Sequence, residues 1–439
     1  MTDTSTREES LAESAEQAEH VDVSILSLHY PPETTGNAPY TGALAVGLAA
    51  RSHRVNAIVA HPHYPEWRIR PGYGQWRRRE VIAGVMVQRL RHYIPRPPRG
   101  LRRLISEVSF GLRICLNRLP SRGVVVAVSP ALFATALAAL RIRVAPSRPG
   151  LVVWVQDIYT LGMAETQEGG GLAGRVTKLV ERHVLRSADR VVVIHPRFAD
   201  YLEREMGIDP KRLTVIRNWT HLKPAPAMDK LEARAAIGWP SDRRLVVHTG
   251  NMGAKQGLDN VVEAARLADA CSAPVQFVLV GDGSERSRLE ALAHGIERIS
   301  FVDPLGESDY RCALAAADCL LVNELPGVAN MAVPSKLTSY FDAARPVLAA
   351  TEVDGITASE IAQAEAGMVV PAGDPHALLA AALEISCDSE QSDVYGASAR
   401  RFCRERLTAD AAIGAFERVV REVAYVATEA PASTRNRSK

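Results

Sequence analysis

Residues Leu245–Ala265 read LVVHTGNMGAKQGLDNVVEAA. Leu245–Thr249 is apolar and rich in β-branched residues, the pattern of a buried strand. Gly250, Gly253 and Gly257 then interrupt the chain. From there the apolar positions Leu258, Val261, Val262 and Ala265 recur at helical spacing. The stretch is a strand, a glycine-rich turn and a helix. Such a turn lets backbone N–H groups approach an anion at the positive end of the helix, and Lys255 adds a mobile charge. The competing reading is a tight βα turn whose lysine points into water.

The same βα rhythm extends in both directions. Upstream, strands are expected at Val21–Tyr30, Val55–Ala60, Val81–Leu90, Val124–Val128, Leu151–Val155, Arg190–Ile194 and Leu213–Ile216. Helices are expected at Tyr40–Ala50, Leu101–Leu119, Ala131–Ile142, Leu172–Arg186 and Arg197–Met206, with Ser129-Pro130 suiting an N-cap and first helical residue. Downstream, strands are expected at Leu245–Thr249, Val275–Val280, Arg298–Phe301, Cys319–Val322, Pro346–Ala350 and Met368–Val370. Alternation of this kind gives parallel sheets covered by helices. The fold class is therefore α/β, with two doubly wound Rossmann-like domains. The predicted division is a disordered tail over 1–20, a first domain over 21–218, a proline-bearing linker over 219–243 and a second domain over 244–405. A final amphipathic helix over 406–428 packs back on the first domain, and a frayed end covers 429–439. Ligands of such sheets sit beyond the carboxyl ends of the strands, so the two domains are expected to face a cleft.

At 439 residues, 47% apolar and 23% charged, the chain has the composition of a globular protein with two or three cores. Its net charge of +2 selects no partner, but His61–Arg122 holds fourteen arginines against three glutamates. The mixture includes Trp67, Arg68, Arg70, Trp76, Arg77–Arg79, Arg96, Arg99, Arg102 and Arg103. It suits an anionic membrane surface or a solvated loop, and no nucleic-acid motif accompanies it. The six cysteines lack CxxC or zinc-like spacing, which fits free thiols in a reducing cytoplasm. No signal-peptide pattern opens the chain, and Val124–Leu140 is too short and too interrupted to span a membrane. A cytoplasmic protein, peripheral on the inner face of the cell membrane, is the expectation.

Four loops fall at predicted strand ends. Tyr30–Thr41, YPPETTGNAPYT, offers Glu33 and the close backbone approach of Gly36; its plain reading is a Pro/Gly turn. Trp154–Tyr159 places Asp157 just past a strand, as a site carboxylate or a helix N-cap. Val280–Arg286, VGDGSER, brackets Asp282 with Gly281 and Gly283, suited to nucleotide contact or to an ordinary turn. Val333–Phe341 puts Pro334, Ser335 and Lys336 at the start of a helix. A lysine there opposes the helix dipole by about 0.3–1 kcal/mol unless an anion is present. Solvation of the lysine is the alternative.

Other patterns are discounted. Gly169–Gly174 matches GxGxxG but follows no strand. His61 and His63 share a strand face without an evident third metal ligand, and no D-x-D, GxSxG or GxxxxGK[ST] occurs. No metal and no cofactor are expected.

The order of these motifs resembles family 4 of the retaining glycosyltransferases of GT-B fold. Within it, the chain resembles the exopolysaccharide enzymes of the colanic-acid and O-antigen type, including fucosyl and N-acetylfucosaminyl transferases. The resemblance rests on YPPETTGNAPYTGALA, HPHYPEW, WVQDIY, TGNMGAKQGLDNVVEAA, VLVGDGSER and VPSKLTSYFDAARPVLA, spread over residues 30–349. It implies transfer of a sugar from a nucleoside-diphosphate sugar to a hydroxyl acceptor, a saccharide or lipid-linked saccharide. It places Gly36, Gly250, Asn251, Gly253, Gly281, Gly283, Pro334 and Ser335 at the donor, Asp157, Lys255 and Lys336 at the chemistry, and Glu33, Tyr40, His63 and Trp67 on the acceptor side. Asn251 stands where the family usually has arginine, Lys255 lies one position before the usual lysine, and Gln156 replaces the usual histidine. The family's paired glutamates fall on Met331 and Ser339. A sugar-nucleotide epimerase of the same fold and a non-catalytic nucleotide-sugar binding protein are the alternatives. The first needs acid and base carboxylates, and the second shows no donor turnover with acceptor.

Overall fold

A computed structural model describes residues 20–34, 36–96, 100–120, 123–145, 148–165, 171–220, 222, 228–328 and 335–429. Both tails, Pro224, Pro226, Met331 and Pro334 lie outside the described residues. The chain divides into two compact units, one of Met1–Arg217 with Ala409–Lys439 and one of Asn218–Thr408.

In the first unit, apolar runs become strands β1 (Asp22–Ser27), β2 (Arg54–Ala60), β3 (Arg77–Ile82), β4 (Val85–Leu90), β5 (Val124–Val128), β6 (Gly150–Val155), β7 (Arg190–Val193) and β8 (Leu213–Val215). They form one sheet in the order β3-β4-β2-β1-β5-β6-β7-β8. All pairings are parallel except the β3–β4 hairpin. The single strand expected over Val81–Leu90 is thus two strands, turned at Ala83-Gly84, both with positive φ. Much of the basic segment is consequently ordered rather than a free loop. Arg89 is fully buried on Glu80 (2.6 Å) and the Pro31 carbonyl (2.6 Å), and Arg113 stacks 3.6 Å over the Trp76 ring.

The last helix, Ala409–Glu429, completes this unit. Phe416 meets the Trp154 ring at 4.7 Å, and both are fully buried. Burying a side chain of that size contributes about 1.5–3 kcal/mol. The helix approaches so closely that a Cβ on Gly47 would lie 2.5 Å from Ile413 Cδ1, and one on Gly150 would lie 2.2 Å from Val423 Cγ1.

In the second unit, strands β9 (Arg244–Thr249), β10 (Val275–Val280), β11 (Ile299–Val302), β12 (Cys319–Asn323), β13 (Val347–Thr351) and β14 (Gly367–Pro371) form a parallel sheet, β11-β10-β9-β12-β13-β14. Val246, Phe277, Leu279 and Leu321 pack with Val261, Val262 and Ala265 on one face, and Leu245, Val247 and Val322 with Leu337, Tyr340 and Phe341 on the other. The expected linker 219–243 is partly structured. It carries helix Lys230–Ile237, whose Arg234 and Lys230 reach Asp318 at 2.5 and 2.7 Å.

Candidate active site

In the second unit the site is organised by the turn after β9. Gly250 has φ +111° and Gly257 φ +53°, conformations an L side chain rarely adopts. The turn is sewn to the neighbouring loop by backbone bonds, Gly250 N to Val280 O (2.8 Å), Met252 N to Asp282 O and Glu285 N to Met252 O (both 2.9 Å). A Cβ on Gly281 would lie 2.0 Å from Gly250 O, and one on Gly283 would lie 2.4 Å from Met252 O. These two glycines, read as nucleotide contacts, also allow this close loop-to-loop approach. Asn323 at the end of β12 donates to the carbonyls of Gln256 (2.7 Å) and Gly257 (2.9 Å), fixing the far side of the turn. Asn251 is exposed and Lys255 half-buried on this turn.

Lys336 opens the seven-residue helix Lys336–Asp342. It does not point away from that helix into water. Its Nζ lies 3.2 Å from His248 Nε2, in β9, and about 4 Å from where a Gly250 Cβ would stand. The ammonium donates, so His248 accepts at Nε2. Burial of the ammonium end lowers the Lys336 pKa to about 7, against a smaller opposing pull from Glu324. Burial likewise drives His248 well below the usual imidazole value, with Lys336 adding to the effect. Ser335 is exposed beside it, and Ser339, at one position of the family's glutamate pair, is buried in the core. His248 had no role in the sequence reading. Its only signal was a polar residue at the penultimate position of an apolar strand.

In the first unit, the ends of β1, β2 and β4 gather a second group. Glu33 is buried, and its Oε1 accepts the amides of His63 (2.7 Å) and Tyr64 (2.8 Å) while Oε2 meets His29 Nδ1 at 2.9 Å. Burial opposes its charge, but the His29 hydrogen bond and charge and the His63 amide more than offset this, leaving its pKa below the ordinary value. His63 stacks on His29 (5.4 Å) and meets Trp67 (5.7 Å) and His92 (5.1 Å) edge-on. Gly36, φ +64°, faces the Tyr64 ring, 3.9 Å from its Cβ position. Glu33, Gly36, His63 and Trp67 are therefore neighbours. Tyr40 is not among the accessible groups, being only 2% exposed in the core. A cavity of about 530 Å³ opens beside this group, lined by Trp67, Arg68, Arg91, His92 and Arg96 among others.

Asp157 follows β6, half-buried. Glu181 accepts the amides of Tyr159 (2.7 Å) and Thr160 (3.1 Å) at the start of the helix that follows. Ser129 is not a cap. The helix starts at Leu132, and Ser129 Oγ donates to the Asp157 carbonyl at 2.8 Å, tying the ends of β5 and β6 together. Tyr64 has its pKa raised by burial and then by the Asp157 charge, which brings it within electrostatic reach of that carboxylate. Glu107, unremarked in the sequence, is buried and pushed up to about 7 by desolvation; it accepts the Phe133 amide (3.1 Å) and the Tyr159 hydroxyl (3.4 Å).

Residues 35–219 match the family described as Glycosyl transferase 4-like domain, and 243–388 match Glycosyl transferases group 1. The chain is 31% identical over 331 residues to a protein of Escherichia coli (strain K12) described as the colanic acid biosynthesis glycosyl transferase WcaI, covering 72% of this chain and 79% of that one. It is 27% identical to the Pseudomonas aeruginosa glycosyltransferase WbjE over 68% of this chain and 74% of that one. Among solved structures, sucrose-phosphate synthase from Thermosynechococcus elongatus superposes with TM-score 0.71 at 18% identity, covering 92% and 100% of the two chains. Anabaena HepE in complex with UDP-glucose superposes with TM-score 0.65 at 15% identity, covering 91% and 99%. The two sheets define the GT-B fold of the glycosyltransferases. Within that class the chain belongs to family 4, and it resembles the exopolysaccharide transferases.

Proposed function

We propose that the protein transfers a sugar from a nucleoside-diphosphate sugar to a hydroxyl acceptor with retention at the anomeric carbon, using no divalent ion at the diphosphate. The observation that carries this reading is the position of Lys336, held by His248 beside the Gly250 turn. As the glycosidic bond breaks, negative charge grows on the leaving diphosphate and positive character on the sugar. Donors already aimed at the first charge lower the barrier without reorganising. Lys336, Lys255, Ser335 and the backbone of Gly250, Asn251 and Gly253 supply them. With its pKa lowered to about 7, Lys336 takes up a proton from solvent as the diphosphate binds, converting the neutral fraction of the amine into an ammonium.

The acceptor side is assigned to the first unit. Asp157 polarises or orients the acceptor hydroxyl. The cavity beside Trp67 combines an aromatic face with three guanidinium groups, Arg68, Arg91 and Arg96. That chemistry fits a saccharide carrying phosphate, as a lipid-linked intermediate does. Among the described residues no helix is long and apolar enough to cross a membrane. Helix Gly100–Cys115 nevertheless leaves an apolar stripe in water, with Leu101, Ile105 and Leu112 exposed and Leu116 just beyond its end. With Arg102 and Arg103 beside it, this face fits peripheral attachment to anionic lipid.

The reading is tested by screening UDP-, GDP- and dTDP-sugars for nucleotide release with and without a lipid extract from the producing cell. Acceptor-dependent release that falls tenfold or more in Lys336→Ala is the expected result. Release indifferent to that substitution removes the assignment.

A further inference from the structure

We propose that His29, Glu33 and His63 form a binding site for one divalent transition-metal ion of the zinc class. A ligand atom of each lies within 4.8 Å of one in each of the others. The sequence pairs His61 with His63, but His61 turns away, its Nε2 on the Gln75 carbonyl at 2.8 Å. His29 and Glu33, four residues apart after β1, take its place.

The surroundings have the form that metal ligands require. His63 Nδ1 lies 3.5 Å from Glu33 Oε1 and donates to the His61 carbonyl at 2.8 Å, which fixes the tautomer and leaves Nε2 as the lone-pair nitrogen that a small turn of the ring would offer to the ion. That Nε2 is buried without a hydrogen-bond partner. Both ring nitrogens of His92, whose ring lies 5.1 Å from His63, are also buried without a partner. Leaving a buried polar atom unpaired costs about 1–3 kcal/mol, so the unpartnered Nε2 of His63 calls for an explanation. An ion within reach of that ring would supply the missing partner.

His29 Nδ1 and Glu33 Oε2 lie 2.9 Å apart, close enough for both to reach one ion at about 2.1 Å. His29 would move its proton from Nδ1 to Nε2 on binding, so no net charge is lost. The Glu33 carboxylate is already aligned by two backbone amides. Two imidazoles and a carboxylate favour zinc and its neighbours over magnesium or calcium, which prefer oxygen. Three protein ligands leave a position for water. The site lies wholly in the first unit and does not depend on the transfer reaction.

Untagged full-length protein, stripped with chelator and titrated with cobalt(II), provides the test. One equivalent should bind with visible ligand-field bands and be displaced by zinc. His29→Gln and Glu33→Gln should each weaken that uptake by more than about tenfold. Circular dichroism of the stripped variants checks that they fold. The proposal is overturned if no saturable equivalent binds or if both variants bind as the parent does. It also fails if the bands carry thiolate charge transfer and vanish in Cys271→Ser with Cys387→Ser, the exposed cysteines.

Discussion

Lys336 and His248 stand 88 residues apart in the chain and 3.2 Å apart in space, with the lysine ammonium donating to the imidazole Nε2. A strand end and a helix start are joined through the two side chains that a reader of either segment alone would assign to core and solvent. The contact places a titratable amine, rather than a permanent cation, next to the glycine turn.

Proton uptake on donor binding follows from it. With a pKa of about 7, Lys336 is mostly neutral at pH 8 and mostly charged at pH 6. A bound diphosphate favours the charged form. Calorimetric titration with a nucleoside diphosphate at pH 8, in buffers of different ionisation heat, should register uptake approaching one proton. At pH 6 the uptake should be near zero, and affinity should fall about tenfold per pH unit above 7. Lys336→Met should remove the buffer dependence and slow transfer on the order of tenfold to a hundredfold. Buffer-independent heats in the parent protein would refute the assignment.

The glycine of the second loop is a packing residue. In Gly281→Ala the new Cβ meets Gly250 O at 2.0 Å, at φ +137°. The donor turn must shift, and stability should drop by about 1–3 kcal/mol or more. Gly306→Ala, whose Cβ meets nothing within 4 Å, should stay within about 0.5 kcal/mol of the parent. Urea unfolding curves of the two variants decide this, and similar losses in both would count against it.

Glu107 makes the first unit sensitive to pH. Burial raises its pKa to about 7, whereas in the unfolded chain it ionises near 4.3. Between those values the folded state holds the proton that the unfolded state has lost, so this group's contribution to stability declines as pH rises through that window. Above about 7 the penalty is constant. Glu107→Gln should match the parent below about pH 4 and exceed it at pH 8 by on the order of 1–3 kcal/mol. A difference that does not change with pH would show that the carboxyl ionises normally.

Membrane attachment is read from co-sedimentation with vesicles. Anionic vesicles should retain the protein at low salt, neutral ones should not, and added salt should release it. Leu112→Ser combined with Leu116→Ser, at positions 53% and 74% exposed, should reduce retention without unfolding the chain. Equal binding to neutral and anionic vesicles would exclude the charged face as the attachment.

The strands and most helices were legible because their apolar period is local. The Gly250 turn was legible for the same reason, since strand, glycines and helix follow one another within a single stretch. What stayed hidden depends on partners distant in sequence. That Gly281 and Gly283 also admit the close approach of Gly250 and Met252 shows only once the two loops are seen side by side. Tyr40 looks like an accessible aromatic after a loop until helix packing buries it. The Val81–Leu90 run reads as one strand because Ala83-Gly84 is a weak turn signal beside β-branched residues on both sides. The arginines of Arg77–Arg113 read as a solvated patch because their acceptors, Glu80, Pro31 O and Trp76 O, become available only through the hairpin.

Helix Ala409–Glu429 supplies Phe416, Ile413 and Val423 to a core otherwise built before residue 217. On the ribosome, the first sheet therefore emerges long before the piece that seals it. Trp154 and the bare faces of Gly47 and Gly150 stay wet while the entire second unit is made. Completion of the first unit's core therefore waits for residues 409–429, and a message truncated ahead of codon 409 would yield two sheets of which only the later one is finished.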